Sequence, residues 1–377
     1  MNKQTKAAPM PQRLQSLDAL RGFDMFFIMG GATLIASLAN IFPNAFFNGL
    51  AAQMSHVPWD GLVHHDTIFP LFLFIAGISW PFSLSKQRAS GKSEADIYKK
   101  VIRRGLTLVL LGVIYNGLLS TLDFTTQRYA SVLGRIGLAW MFGALIFMNT
   151  RWKTRVGIVG VILIGYWLLS TFVGAPDAPA GASPLSREGC LEGYLDRLLL
   201  PGSLCYGDFD PEGLLSTIPA ISTALLGMLT GEWIRYEKEG LTPTRKALYM
   251  AYAGVAFLVV AVLWNMILPV NKMLWSSSFV CAVASYSLLM FALFYYVVDV
   301  RGCRNWTLFF VVIGVNSITI YLAQAFISFD FSAKAIFGGL AGLMPESCQQ
   351  TVLDAAYILL CWLFLYFLYK RKIFLKV

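Results

Sequence analysis

The chain is poor in charge. Charged residues make up 14% of its 377 residues, hydrophobic residues make up 57%, and the mean hydropathy is +0.62. Soluble domains carry about 25% charged residues, so this composition excludes a soluble globular protein. It predicts an all-α, polytopic membrane protein. No nucleic-acid motif accompanies the net charge of +9. That charge is therefore assigned to membrane topology and anionic lipid headgroups, and nucleic acid is not an expected partner.

Ten apolar runs are long enough to cross a membrane, since a spanning helix takes roughly 17–25 residues. We treat residues 1–377 as one transmembrane domain, with a short re-entrant or surface helix at 332–344. The first 21 residues are polar and precede a full-length run, so no cleavable signal is predicted. The ten runs are 22–42, 67–85, 105–122, 130–149, 155–174, 213–234, 247–268, 274–299, 306–327 and 351–369.

Lysine and arginine are scarce in alternate loops. With ten spans, 24 of the 30 basic residues fall on one side, and cytoplasmic loops collect such bases. This pattern predicts that both termini are cytoplasmic and that loops 43–66 and 175–212 are exported. The bases on the predicted cytoplasmic side are Lys3, Lys6, Arg13, Arg21, Lys86, Arg88, Lys92, Lys99, Lys100, Arg103, Arg104, Arg151, Lys153, Arg155, Arg235, Lys238, Arg245, Lys246, Arg301, Arg304, Lys370, Arg371, Lys372 and Lys376.

Histidine is rarer still, and its three copies, His56, His64 and His65, lie within ten residues around the first exported loop. Histidine serves as general base, nucleophile or metal ligand near neutral pH. Adjacent histidines on a helix point about 100° apart, so no metal is expected. We predict that His56, beside Trp59 in a turn-forming segment, is a catalytic base or nucleophile. Asp66 would cap the second span and orient it. Structural or solvated histidines are the alternative.

The second exported loop is acidic, and Asp196, Asp210 and Glu212 are among its carboxylates. Such a rim would attract a cationic or amino-bearing substrate, although a solvated loop is the alternative. The same loop holds Cys190 and Cys205. An oxidising compartment favours a disulfide between these two cysteines over two free thiols.

Polar groups within apolar runs are candidate sites because they are costly in a membrane. Asp18, Arg21 and Asp24 recur at helical spacing, which suits either an ion-pair ladder or ligand binding. Arg135 lies almost two turns inside the fourth run, so it requires a partner or an anionic ligand. Asn316 lies near the middle of the ninth run. It would form either an interhelical hydrogen bond or a donor to a reacting carbonyl.

Several motifs occur in the same order as in a known family. From about residue 13 to the C terminus, the chain resembles the heparan-α-glucosaminide N-acetyltransferase family and its bacterial relatives, a branch of the transmembrane acyltransferases. The matching residues are Arg13-Leu14-Gln15-Ser16-Leu17-Asp18, Arg21-Gly22, His56, Trp59, Gly61-Leu62, Asp66, Phe69-Pro70, Val132-Leu133, Arg135, Gly193-Tyr194-Leu195-Asp196-Arg197-Leu198-Leu199-Leu200, Asp210-Pro211-Glu212-Gly213, Pro269-Val270-Asn271-Lys272, Leu274-Trp275-Ser276, Val297-Val298-Asp299-Val300, Asn316-Ser317-Ile318, Tyr321 and Arg371-Lys372-Ile373-Phe374.

The resemblance implies acetyl transfer across a membrane. Acetyl-CoA would act as co-substrate from the cytoplasmic side, and a glucosamine amine would accept the acetyl group on the other side. The single family histidine corresponds to His56. A bacterial inner-membrane member would acylate an amino sugar or envelope glycan rather than heparan sulfate, and the resemblance suggests a homodimer. A sugar or lipid-linked-sugar transporter or flippase is the alternative, although we find no paired internal repeat.

The remaining predicted roles follow from this scheme. Asn316 or Arg135 would stabilise the oxyanion. The CoA phosphates would bind basic residues of the cytoplasmic end, for which solvated positive-inside residues are the competing interpretation. The cofactor-binding set is Lys100, Arg103, Arg104, Arg135, Arg21 and Asp18. The substrate-binding set is Trp59, His64, His65, Asp196, Asp210, Glu212, Asn271 and Lys272.

Overall fold

The computed structural model describes residues 14–375, and every regular element within them is helical. Two π-helical segments, Phe27–Gly31 and Tyr295–Val300, continue α1 and α12. The helices are α1 Gln15–Phe26, α2 Ala32–Ile41, α3 Ala45–Gln53, α4 His64–Ala89, α5 Glu94–Tyr115, α6 Leu118–Thr121, α7 Val132–Asn149, α8 Trp152–Phe172, α9 Leu191–Leu199, α10 Thr217–Arg235, α11 Pro243–Asn265, α12 Ser277–Phe294, α13 Leu308–Val315, α14 Ser317–Phe326, α15 Phe329–Gly342 and α16 Glu346–Lys370.

The helices make this a multi-pass membrane protein. Within residues 14–375, seven helical stretches are long and apolar enough to cross a membrane, and α13 with α14 would add an eighth. That pair bends by 69° at Asn316. The predicted runs at 105–122 and 213–234 fall on α5 and α10, which are long enough but do not qualify by composition. The first half of α5 is strongly charged, and α10 is rich in serine, threonine and glycine.

Helix α10 lies at the centre of the bundle, which explains its composition. It packs against α4, α7, α8 and α12. Its backbone approaches α4 so closely that a Cβ atom added at Gly227 would lie 2.2 Å from the carbonyl oxygen of Phe74. Small residues permit such close packing in membrane proteins. By contrast, α11 and α16 expose long apolar faces of the kind that contact lipid.

Isolated backbone bridges connect the loops at the end of the bundle where α4 begins. Asp60 pairs with Asn271, Arg128 pairs with Gly202, and Gly174 pairs with Cys190. The first bridge joins the loops before α4 and α12, and the second joins the loops before α7 and α10. The indole N–H of Trp59, which donates to the Leu185 carbonyl oxygen, links the loop before α4 to the segment between α8 and α10, so these loops form one layer. Most of the predicted cytoplasmic bases follow the other ends of these helices, but Lys3, Lys6, Arg13 and Lys376 lie outside the described residues.

Candidate functional site

His56 and Asp66 are in direct contact. His56 Nδ1 lies 2.6 Å from Asp66 Oδ1, and the His56 side chain is 46% exposed whereas that of Asp66 is 1% exposed. Asp66 is the third residue of α4, and its other oxygen accepts a hydrogen bond from the backbone N–H of Val63 at 3.4 Å. One carboxylate thus caps the helix and holds the imidazole. Of the two ring nitrogens of His56, Asp66 therefore contacts Nδ1 and not Nε2.

Lys272 joins this pair from the loop between α11 and α12. Its Nζ lies 3.1 Å from His56 Nδ1, 3.4 Å from His56 Nε2 and 3.4 Å from Asp66 Oδ1. The side chain is only 12% exposed. Burial lowers the pKa of Lys272, and the nearby Arg135 lowers it further, while Asp66 and Glu212 oppose the change without reversing it.

Local backbone structure explains why Lys272 reaches His56. The backbone N–H of Gly61 donates to the carbonyl oxygen of Val270 at 2.8 Å, and Gly61 has a φ of +122°, which favours glycine. Asn271 is buried. Its amide donates to Asp60 Oδ1 at 3.1 Å, and its oxygen accepts from the N–H of Leu274 at 2.9 Å. Asn271 therefore holds the two loops together, and the structure does not support its predicted role in substrate binding.

Trp59 has a similar structural role. Its indole N–H donates to the carbonyl oxygen of Leu185 at 2.9 Å, and its ring packs on Phe209 at 5.4 Å between centroids. Both partners belong to the second predicted exported loop. The indole N–H of Trp59 thus attaches the first loop to the second, and substrate contact by its ring stays a prediction.

The two other histidines differ in position. The ring of His65 lies 4.4 Å from that of His56, so it lines the site. The ring of His64 lies 4.4 Å from Phe27 instead, and its backbone N–H donates to the Gln53 side chain at 3.0 Å. The Nδ1 atoms of both His64 and His65 are buried and have no hydrogen-bond partner within residues 14–375.

Arg135 is buried near the same layer rather than near the basic end. Its guanidinium donates to Ser216 Oγ and to the Gly213 carbonyl oxygen, and it lies 4.9 Å from the centre of the Trp275 ring. Polar groups of the protein thus contact the guanidinium, while its buried Nε–H has no hydrogen-bond partner in residues 14–375.

The predicted acidic rim is largely neutralised. Arg128 binds Asp210 through Nε and an η nitrogen, at 2.7 Å each, and also binds Glu212. Burial alone would lower the pKa of Arg128, but its contacts with Asp210 and Glu212 raise it above its usual value. Other arginines pair with Asp177 and Asp208. The structure therefore does not support substrate binding by Asp210 and Glu212. Sequence reasoning overlooked Arg128, although it is the single base between α5 and α7.

Asp196 is buried beneath this loop. Its Oδ1 accepts a hydrogen bond from the backbone N–H of Leu214 at 2.8 Å, while Oδ2 has no hydrogen-bond partner in the described structure. Burial raises the pKa of Asp196 to about 7. A carboxyl group with 0% exposure is not accessible to an acceptor, so its predicted role in substrate binding is not supported.

The predicted disulfide between Cys190 and Cys205 is not formed. Both are free thiols, and Cys190 is buried whereas Cys205 is exposed. Cys190 packs in an apolar cluster with Phe209, Met273 and Leu274. Burial raises the pKa of the Cys190 thiol to about 12. The folding of this loop directs the two side chains into different environments.

The predicted cofactor residues other than Arg135 lie toward the other end of the bundle. Arg21 pairs with Asp18 at 3.7 Å and donates to Ser79 Oγ at 3.2 Å. Arg104 lies 4.3 Å from the centre of the Trp140 ring and close enough to Arg21 for their charges to repel. The Arg104 Nε is buried without a hydrogen-bond partner in residues 14–375. Lys100 and Arg103, on the same helix, are exposed.

Asn316 lies at the break between α13 and α14. Its amide donates to the carbonyl oxygen of Ile373 at 3.2 Å, and its oxygen accepts from Thr319 at 3.3 Å. These partners belong to the C-terminal segment and to α14 rather than to the His56 site. The structure thus does not support Asn316 as an oxyanion donor; it supports the alternative of a structural hydrogen bond.

Comparison with known proteins agrees with the motifs. Heparan-alpha-glucosaminide N-acetyltransferase from Homo sapiens and from Mus musculus are each 27% identical to this chain, over 99% and 97% of its length. The chain spans about three fifths of those proteins, 61% and 60% respectively. Residues 13–260 match the family described as heparan-alpha-glucosaminide N-acetyltransferase, catalytic. This chain therefore belongs to the heparan-alpha-glucosaminide N-acetyltransferase catalytic family.

Proposed function

We propose that the protein is a transmembrane acyltransferase. It transfers an acetyl group from cytoplasmic acetyl-CoA to the amine of an amino sugar or glycan on the exported face. The observation that carries the proposal is the 2.6 Å contact between His56 Nδ1 and the buried carboxylate of Asp66. A half-exposed imidazole fixed by a buried carboxylate is suited to proton transfer or nucleophilic attack.

Two chemical routes are compatible with this geometry. In both, an Nδ1–H donates to Asp66 and leaves the lone pair on Nε2. As a general base, Nε2 takes the proton of the amine while the amine nitrogen bonds to the acetyl carbon and the bond to sulfur breaks. As a nucleophile, Nε2 first takes the acetyl group and releases CoA, and the amine then removes the acetyl group from the imidazole. Arg135 would stabilise the developing oxyanion, a contribution of ~3–4 kcal/mol in comparable sites.

The donor would approach from the basic end. Arg21 contacts Ser79, which lies thirteen residues after Asp66 on α4, or about 20 Å along the helix axis. An extended pantetheine arm covers roughly half of a ~30 Å hydrocarbon core. Arg21 and Arg104 are therefore the proposed phosphate-binding pair, with Asp18 positioning Arg21. Lys100 and Arg103 would attract the nucleotide at the surface.

The membrane arrangement is part of the proposal. We place residues 1–377 as a single domain with ten spans and cytoplasmic termini in a bacterial inner membrane, and we expect a homodimer. Helices α5 and α10 would provide the two additional spans. This is supported by the distribution of bases and by the central position of α10, which other helices cover on several sides.

The central experiment is an acetyl-transfer assay. Purified protein in detergent is incubated with acetyl-CoA and glucosamine or its oligomers, and mass spectrometry measures acetylated sugar and free CoA. Saturable binding of acetyl-CoA is measured in parallel, since a sugar transporter or flippase has no need of it. Absence of both binding and product would refute the proposal.

Substitutions test the donor site. Arg104→Gln should weaken acetyl-CoA binding by about 10-fold, because a desolvated charged contact to phosphate is lost. Lys153→Gln is the matched control, since Lys153 is an exposed base at the same end of the bundle. Equal affinities of the two variants would contradict the proposed position of the phosphates.

A further inference from the structure

The side-chain amine of Lys272 contacts the imidazole of His56, which we propose to be reactive. Lys272 Nζ is 3.1 Å from one ring nitrogen of His56 and 3.4 Å from the other. Because Nζ is nearly equidistant from both nitrogens, it does not lie along either in-plane lone pair. A position in the ring plane at these distances would overlap Cε1, so Nζ lies over a face of the ring. Such a position suits attack on a group carried by the ring, because an acyl group conjugated with an imidazole is coplanar with it and is attacked from its face.

The surroundings of Lys272 favour its reactivity as a nucleophile. The side chain is largely withdrawn from water, and the charged or titratable groups that face it are His56, Asp66, Glu212 and Arg135; His65 also lies within electrostatic range. The net effect lowers the pKa of Lys272, so more of the amine is neutral than in water. Desolvated lysines of this kind serve as nucleophiles in other proteins.

We infer that Lys272 is a self-acetylation site, which accepts the acetyl group from the His56 centre when no acceptor amine occupies it. The inference rests on the proposed function, because acyl-CoA must supply the acetyl group. It adds a covalent modification of the protein to the transfer reaction.

The step balances in either chemical route. The neutral Nζ of Lys272 attacks the acetyl carbonyl carbon, and a carbon–nitrogen bond forms. The bond that breaks joins the acetyl carbon to His56 Nε2 if the imidazole carries the group, or to the sulfur of CoA if it does not. The proton lost from Nζ passes to the released imidazole nitrogen or to the thiolate, and an amide and free CoA remain.

The modification would have a direct consequence for the site. Acetylation removes the positive charge that contacts Asp66 at 3.4 Å and places a methyl-bearing amide beside His56. The modified amide would occupy space that an acceptor amine needs. Self-acetylated protein should therefore transfer acetyl groups to sugar more slowly than unmodified protein, and bound acceptor should protect Lys272.

The experiment follows acetylation of the protein itself. The full chain in detergent is incubated with isotopically labelled acetyl-CoA, with and without glucosamine, and peptides are quantified by mass spectrometry over time. We expect the label on Lys272 to appear about 100-fold faster than on Lys334, since proximity replaces a bimolecular encounter. Lys334 is the internal control because it is 60% exposed and pairs with Asp330 outside the site.

Variants at His56 distinguish self-acetylation from chemical acetylation. His56→Gln, with His56→Ala as a second variant in case either fails to fold, should reduce labelling of Lys272 to the level of Lys334. Equal labelling of the two lysines in the unmodified chain, or undiminished labelling of Lys272 in the folded variants, would overturn the inference. Acetylated glucosamine in the incubation with acceptor, combined with unlabelled Lys272 in the incubation without acceptor, overturns the inference alone. Absence of both products overturns it together with the proposed function.

Discussion

Two charged clusters lie in the same layer of loops and differ in what their charges can do. The His56 cluster consists of His56, Asp66 and Lys272, and the Arg128 cluster consists of Arg128, Asp210 and Glu212. In the first, one carboxylate contacts both an imidazole and an ammonium group, and the imidazole is 46% exposed. In the second, one guanidinium binds two carboxylates, and Asp210 also accepts hydrogen bonds from the backbone N–H groups of Cys205 and Glu212.

The difference is between the cluster that we propose to be reactive and a cluster that holds loops together. A guanidinium that binds a carboxylate through two nitrogens keeps its proton and holds its partners rigidly. The Arg128 cluster therefore ties the loop before α7 to the loop before α10. An imidazole changes protonation near neutral pH, and the His56 cluster leaves one ring nitrogen beyond the reach of Asp66. The charged residues of these loops therefore indicate a functional site only when their contact partners are known.

The largest expected effect comes from removing the imidazole. His56→Ala should reduce acetyl transfer by about 10³-fold or more, because the base or acetyl carrier is lost. The variant should remain folded and inserted, as judged by its thermal unfolding and its elution as a single species in detergent. Near-normal turnover would show that the His56 cluster is not the reactive one.

Breaking the other cluster should affect stability rather than chemistry. Arg128→Met leaves the buried carboxylate of Asp210 without its cation and should destabilise the fold by about 3 kcal/mol, measured by thermal unfolding in detergent. The matched control is Arg187→Met, because Arg187 and Asp208 form an exposed pair that should contribute less than about 1 kcal/mol. Turnover per folded molecule should stay within about 2-fold of the parent chain, since neither arginine contacts the His56 cluster. Equal destabilisation of the two variants would contradict the distinction.

Asp196 is a third carboxylate in these loops, and its protonation can be tested through the pH dependence of stability. Asp196 forms no salt bridge within residues 14–375, and burial raises its pKa from 3.8 to about 7 although the charge of Arg135 opposes the change. The folded state therefore holds the proton more tightly than the unfolded state. The resulting stabilisation is complete below about pH 4 and is lost as the pH rises toward about 7.

Asp196→Asn should remove this pH dependence. Its amide oxygen can still accept from Leu214, and no proton is exchanged. The thermal unfolding midpoint of the parent chain should fall more between about pH 4 and pH 7 than that of the variant. Parallel profiles would indicate that Asp196 stays ionised in the folded protein.

The smallest effects are expected at the neighbouring histidines. His65→Gln and His64→Gln, made singly, should change the KM for the acceptor more than they change kcat, because neither imidazole is held by a carboxylate as His56 is. His65 should have the larger effect, since its ring lies 4.4 Å from that of His56. Steady-state kinetics provides the test. A ~10³-fold loss of kcat in either variant would move the reactive role away from His56.

Much of the fold and part of the site could be predicted from sequence. Apolar runs predicted a polytopic helical protein, and the position of Asp66 before an apolar run predicted a helix start near an orienting carboxylate. The structural contacts of several predicted site residues could not be predicted, for one reason. Asn271, Trp59 and Asp196 are polar or amphipathic side chains with buried structural partners, and residue type does not distinguish a satisfied hydrogen bond from an available one.

The sequence by itself determined the class of protein, the distribution of its bases and the segment that carries its three histidines, because composition and hydropathy are properties of local sequence. Only the tertiary structure decided which charges meet. Lys272 reaches His56 across 216 positions and Arg128 reaches Asp210 across 82, through loops brought together by the packing of α4, α7, α10 and α12. Such contacts depend on helix packing in three dimensions, which no local pattern specifies, and they distinguish the cluster proposed to be reactive from the structural one.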